Sequence, residues 1–211
     1  MGLANWGMHQ SAGIFAGTRT KNVNPKTLNP NRKYGPTTMN LREELLREKV
    51  HSKAHATEIT HYACSSPEQF KELMDCFLCN DYRITQRAAW SVSWAGRARP
   101  DLIKPYIKQL VAQLSRNDVH NAVIRNSIRV LEMTDIPEDC HAAVMNACFT
   151  FIEKPNTPAA IKAFSLTTLH NLSTYYPEIQ PELKLIIETL WDGETPAFKS
   201  RGRKILKAIK N

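Results

Sequence analysis

Five side chains in and just before the stretch ITQRAAWSVSWAGRAR, Arg83, Arg87, Trp90, Trp94 and Arg97, combine two groups that recognise ligands well, guanidinium and indole. At about 100° per residue they fall within an arc of roughly 80° on one side of a helix, so cations alternate with broad aromatic faces. A guanidinium takes a carboxylate or phosphate through paired hydrogen bonds, and an indole beside it stacks on a base or packs on an apolar group. Ile84, Ala88, Val92 and Ala95 occupy the opposite side. That stripe of small apolar groups lets another helix approach closely, so it belongs to a core.

Metal and thiol chemistry have their own candidates. His61-x-x-Cys64 and Cys76-x-x-Cys79 supply four possible zinc ligands, with His51 and His55 nearby at i,i+4. Cys76 and Cys79 flank Phe77 and Leu78 on an apolar helix, however, and lack the glycine-containing turn of zinc-ribbon pairs, so the favoured reading is reduced core thiols with no metal. Cys140 and His141 are adjacent, which on a helix points them about 100° apart and makes them poor partners as nucleophile and base. Asp135, Glu138 and Asp139 gather where a helix begins, and the helix dipole accounts for them. The sequence contains no P-loop, GxSxG elbow, HExxH or GxGxxG, so no catalytic residue and no cofactor is assigned.

The elements that must position these groups repeat. TQRAA at Arg87, VIRNS at Arg125, AIKAF at Lys162 and AFKSR at Lys199 place a cation at one phase four times, at separations of 38, 37 and 37 residues. A second helical segment precedes each copy, opening at Pro67-Glu68, Pro100-Asp101, Pro137-Glu138 and Pro177-Glu178. Proline suits the first helical position, whose N–H has no partner, and the acid sits on the positive end of the helix dipole. Thr157-Pro158 and Thr195-Pro196 mark the starts of two cation-bearing helices in the same way. Residues 40–64 read as one long charged capping helix. About nine helices and no strand follow from the breakers and apolar periods.

A helical hairpin of this length, with an acid or amide before a cation-bearing second helix, resembles the HEAT repeat, a member of the armadillo-type solenoids. The loop-to-helix pairs are Asp81 with Arg87, Asp118 with Arg125 and Asn156 with Lys162, while the fourth unit departs from the pattern with Gly193 before Lys199. The resemblance covers roughly residues 67–210 and extends to small bacterial HEAT-repeat proteins. It implies an all-α, right-handed superhelix of about four hairpins plus an N-terminal cap. Such folds serve mostly as binding scaffolds. One branch, the alkylpurine DNA glycosylases, is enzymatic, and here it would combine Trp90 and Trp94 with a carboxylate from another helix, such as Glu132.

On that architecture the cations stack along a concave inner face, thickened by Arg129 and Arg203 one turn on from Arg125 and Lys199. Arg83, Arg87, Trp90, Trp94, Arg97, Arg125, Arg129, Lys162, Lys199 and Arg203 then line a partner surface, or else the cations form an internal ladder tying each loop to the next helix. The expected partner is a protein with an acidic segment. Nucleic acid in the same groove is the alternative.

Composition limits the choices. Of 211 residues, 42% are hydrophobic and 23% charged, ordinary for a globular domain with a core. The net charge of +8 is concentrated at the ends: residues 1–38 hold five cations and the last helix six, neither with an acid. Removing these eleven leaves residues 39–198 at −3, so overall basicity is weak evidence for a polyanion partner. Residues 1–38, rich in Gly, Asn, Thr and Pro, are expected to form a flexible arm ahead of a single domain over 39–211. Five scattered cysteines, no secretory signal and no run of ~18 apolar residues point to a reducing, cytoplasmic setting without a membrane span.

Overall fold

A computed structural model describes residues 39–209, and every regular element there is helical. The arm expected over residues 1–38 lies outside the described residues. The α-helices are α1 (Leu41–Arg47), α2 (Lys53–Ala63), α3 (Pro67–Leu78), α4 (Tyr82–Ala98), α5 (Pro100–Ile103), α6 (Ile107–Leu114), α7 (Asn121–Leu131), α8 (Glu138–Glu153), α9 (Ala159–Leu172), α10 (Gln180–Leu190) and α11 (Pro196–Ile209).

The starts of these helices are written in side chains that accept their first N–H groups. Ser52 accepts from His55 N at 3.1 Å, Asp81 from Arg83 N at 3.0 Å and Ile84 N at 3.1 Å, and His120 Nδ1 from Ala122 N at 3.0 Å. Pro67, Pro100 and Pro196 each open a helix, with Ser66 capping the first of these. Pro137 and Pro158 stand one residue earlier than the spacing predicts, at the cap itself, with extended ψ angles of 139° and 136°.

Two expected helices are broken. The charged segment 40–64 is α1 and α2, separated at Glu48–Ser52, where Glu48 turns extended at ψ 141°. The 100–114 segment passes through a 3₁₀ turn at Lys104–Tyr106, because Pro105 removes a donor and crowds the preceding turn.

Packing pairs α3 with α4, α6 with α7, α8 with α9 and α10 with α11. Successive second helices α4, α7, α9 and α11 also pack side by side, with α2 against α4, so they form one layer and the first helices another. One apolar core runs between the layers, from Leu45, Phe70 and Phe77 through Val92, Ile107 and Ile128 to Val144, Leu169, Ile187 and Phe198. No helix among the described residues is long and apolar enough to cross a membrane.

Of the described glycines, Gly202 of α11 has the least room for a side chain. A Cβ there would sit 2.9 Å from Ile187 Cγ2 and 3.2 Å from Trp191 Cζ3, and Ile187 is fully buried. Overpacking of this kind costs roughly 1–3 kcal/mol, more than the ~1 kcal/mol helix-propensity gain of alanine over glycine. Gly202→Ala is therefore expected to lower the urea midpoint without changing the slope of the transition.

Candidate functional site

The four repeated cations all fall on the second-helix layer but meet different fates. Arg87 is buried, and its guanidinium donates to three carbonyls: Nη1 to Leu45 O and Glu48 O, both at 2.7 Å, and Nη2 to Lys49 O at 3.0 Å. These carbonyls lie at the end of α1 and the break after it, so Arg87 closes the C-terminus of that helix. The expected Asp81–Arg87 pair is not formed; Asp81 caps its own helix and faces Arg42 at 3.3 Å. Nor does Asp118 reach Arg125, because it is held by Arg116 at 2.6 Å.

Lys162 is also consumed. Its ammonium forms an ion pair with Glu194, not a bond to Asn156, and the side chains are only 5% and 11% exposed. Lys199 donates to Asp192 O at 3.2 Å. Arg203 lies over the Trp191 ring at 5.9 Å. Arg201, two residues earlier on α11, faces the α7–α9 side instead and pairs with Glu132 at 3.1 Å.

A cleft of about 660 Å³ crosses α4, α7 and α9, lined by His51, Gln86, Arg87, Trp90, Arg125, Asn126, Arg129, Ala160 and Phe164. Trp90 and Trp94 are half-buried, their rings 4.9 Å apart and tilted by 56°. Arg125 and Arg129 lie one turn apart on α7, the first exposed and the second half-buried. Arg129 and Arg201 each lie over the Phe164 ring, at 5.9 and 5.8 Å. Arg83 is exposed on α4 outside the cleft lining, and Arg97 Nη2 is 2.9 Å from Met133 Sδ.

The charge density at this point is high. Burial holds the Arg129 guanidinium below its usual range, reinforced by Arg97, Arg125 and Arg201 and opposed by Glu132. Burial pushes the Glu132 carboxyl up, while Arg201, Arg129 and Arg97 pull it back. The carboxylate that a base-excising reading requires is thus 8% exposed and bound to Arg201.

The other candidates separate. His61 is exposed near the end of α2, Cys64 Sγ points toward Ala95 O, and Cys76 and Cys79 lie at the far end of α3. No group of three or more metal-ligating side chains occurs among the described residues. Burial raises the Cys64 and Cys76 thiols to about 11 and Cys148 to about 12. His141 is buried, its Nε2 2.8 Å from Ile136 O and its Nδ1 3.1 Å from the Tyr176 hydroxyl, while Cys140 faces Asp139. That arrangement satisfies a core histidine and engages both imidazole nitrogens with partners other than the thiol.

Sequence reasoning passed over Phe164, Arg201 and the groove position of His51. Phe164 and Arg201 follow their repeat cations by two residues, where helical phase alone turns a side chain some 200° away. His51 was hidden because 40–64 lacks a proline or glycine at its break.

Three histidines make stability pH-dependent. Burial lowers the pKa of His51, with His55 and Arg87 adding to the effect; burial also lowers His120 and His170. A group depressed below its ordinary value of about 6.5 contributes stability that is present above that value and lost as pH falls through the folded-state value. Glu132, shifted upward, has the opposite sign: its contribution is present below about 4.5 and lost as pH rises through its folded value. The melting temperature is expected to fall between pH 7.5 and 5.5, and His170→Gln to reduce that fall. Differential scanning fluorimetry checks both.

The paired layers of helical hairpins define an α-solenoid of repeat type. A family model for the HEAT repeat domain matches residues 41–209, and the chain belongs to that family. No curated protein and no solved structure matches it. HEAT repeats generally mediate protein–protein interaction.

Proposed function

We propose that the chain is an interaction module that takes an acidic segment of a partner protein in the cleft across α4, α7 and α9. One contrast carries the reading. Arg87 and Lys162 have their charges answered internally, whereas among the described residues Arg125 and Arg129 make no hydrogen bond or ion pair. Two guanidiniums one turn apart, with Trp90 close by and the Phe164 ring under Arg129, suit a carboxylate flanked by an apolar side chain.

The test is fluorescence anisotropy with a labelled glutamate-rich peptide and, in parallel, a labelled DNA duplex. The peptide is expected to bind, and Arg125→Glu with Arg129→Glu to weaken it by about tenfold or more, equivalent to ~1.4 kcal/mol per factor of ten. Trp90→Ala is expected to weaken it at every salt concentration. Tighter binding of the duplex, with a steep loss as salt rises, would instead make the cleft a polyanion site.

A further inference from the structure

His51 lines the same cleft as Arg125 and Arg129, on the connection between α1 and α2. Both of its ring nitrogens are shielded from solvent, and neither has a hydrogen-bond partner. The ring is held edge-on against Trp90 at 5.9 Å and against His55 at 5.7 Å. Buried polar atoms without partners are uncommon and destabilising. An imidazole turns about two side-chain bonds, and rotation about them presents a ring nitrogen to an acceptor in the cleft.

Resting on the binding reading above, we infer that His51 is a third anion contact of the cleft, donating to a carboxylate of the bound segment and taking up a proton as it does so. The groups facing it are Glu48 from the end of α1, His55 from α2, Arg87 from α4, and Arg125 and Arg129 across the cleft on α7. His55 is itself occupied by Glu44 at 3.1 Å, and the Arg87 guanidinium by the three carbonyls. In the free protein burial, His55 and Arg87 together favour the neutral imidazole, and Glu48 alone opposes them. A carboxylate seated against the ring reverses that balance, because an adjacent opposite charge stabilises imidazolium. The proton comes from solvent and stays on the ring, which then donates from both nitrogens.

Linkage gives the consequence. Between the free and the complexed pKa, binding consumes up to one proton and the affinity rises as pH falls, by at most about tenfold per pH unit. Glutamates of the probe ionise near 4.3 and are already charged at pH 6 and pH 8, so they do not contribute.

The experiment is isothermal titration of the full chain with the glutamate-rich peptide, in buffers of different ionisation enthalpy, at pH 6 and pH 8. Uptake of up to about one proton per peptide is expected, larger at pH 6 than at pH 8. His51→Gln is expected to bind the peptide without proton uptake, whereas His120→Gln, altered at the histidine near Arg125, keeps the uptake. The imidazole resonances of the wild-type chain give a second reading that needs no variant: those of His51 should move to the protonated position on peptide addition at pH 6. Peptide binding with no proton uptake, or uptake that persists in His51→Gln, overturns the inference and leaves the cleft reading standing. Absence of peptide binding overturns both.

Discussion

Arg87→Ala is expected to destabilise the chain by about 3 kcal/mol, within the range of roughly 1.5–3 kcal/mol for hydrogen bonds to a charged group and the added cost of buried acceptors left unpaired. The guanidinium is the sole bridge described between α4 and the carbonyls of Leu45, Glu48 and Lys49, and those carbonyls have no continuing helix to receive them. At ~2–4 °C per kcal/mol for a domain of this size, the melting temperature should drop by roughly 6–12 °C. Hydrogen exchange adds a local reading, since the amides of α1 should lose protection before those of α8. Arg87→Lys should not rescue the loss, because one ammonium on a flexible stem does not span three carbonyls. Unchanged exchange in α1 would show that the helix is held by other contacts.

Lys162→Met is expected to cost about 3–5 kcal/mol, since it leaves the Glu194 carboxylate buried without its counter-charge. Among the described residues Glu194 then keeps the N–H of Thr195, at 3.2 Å. Removing Glu194 instead strands the ammonium and should cost a similar amount. The double variant Lys162→Met, Glu194→Leu should recover most of the loss, because a well-packed apolar pair often equals or exceeds a buried ion pair. A double-mutant cycle by urea denaturation reads the coupling directly. Additive losses would mean that the pair is not coupled in the fold.

These two residues also mark where the sequence was legible and where it was not. The four cations share one phase because the hairpins share one geometry, so the repeat, the helical class and the two-layer packing could be read from spacing and apolar period. Their partners could not. Arg87 was matched with Asp81 by proximity in the chain, yet the carbonyls it bonds come from a helix end about 40 residues earlier, at a break with no proline or glycine to announce it. Lys162 likewise reaches forward to Glu194 in the following loop. Backbone carbonyls leave no trace in residue type, and Arg99, which donates to Cys64 O at 2.8 Å, repeats the same use of a cation at a helix end. Arg125 and Arg129 were legible as cations at i,i+4. That they stand apart from such duties depends on what surrounds them in three dimensions.

Arg87 and Lys162 hold the fold, whereas the proposed function gives Arg125 and Arg129 to the partner, and a paired measurement separates the roles. Melting temperature and affinity for the glutamate-rich peptide would be recorded for Arg125→Gln with Arg129→Gln, and for Lys162→Met with Glu194→Leu. The α7 pair should lose about tenfold or more in affinity with its melting temperature unchanged, while the buried-pair variant should bind like the wild type. Peptide affinity that survives loss of both α7 guanidiniums would contradict the account.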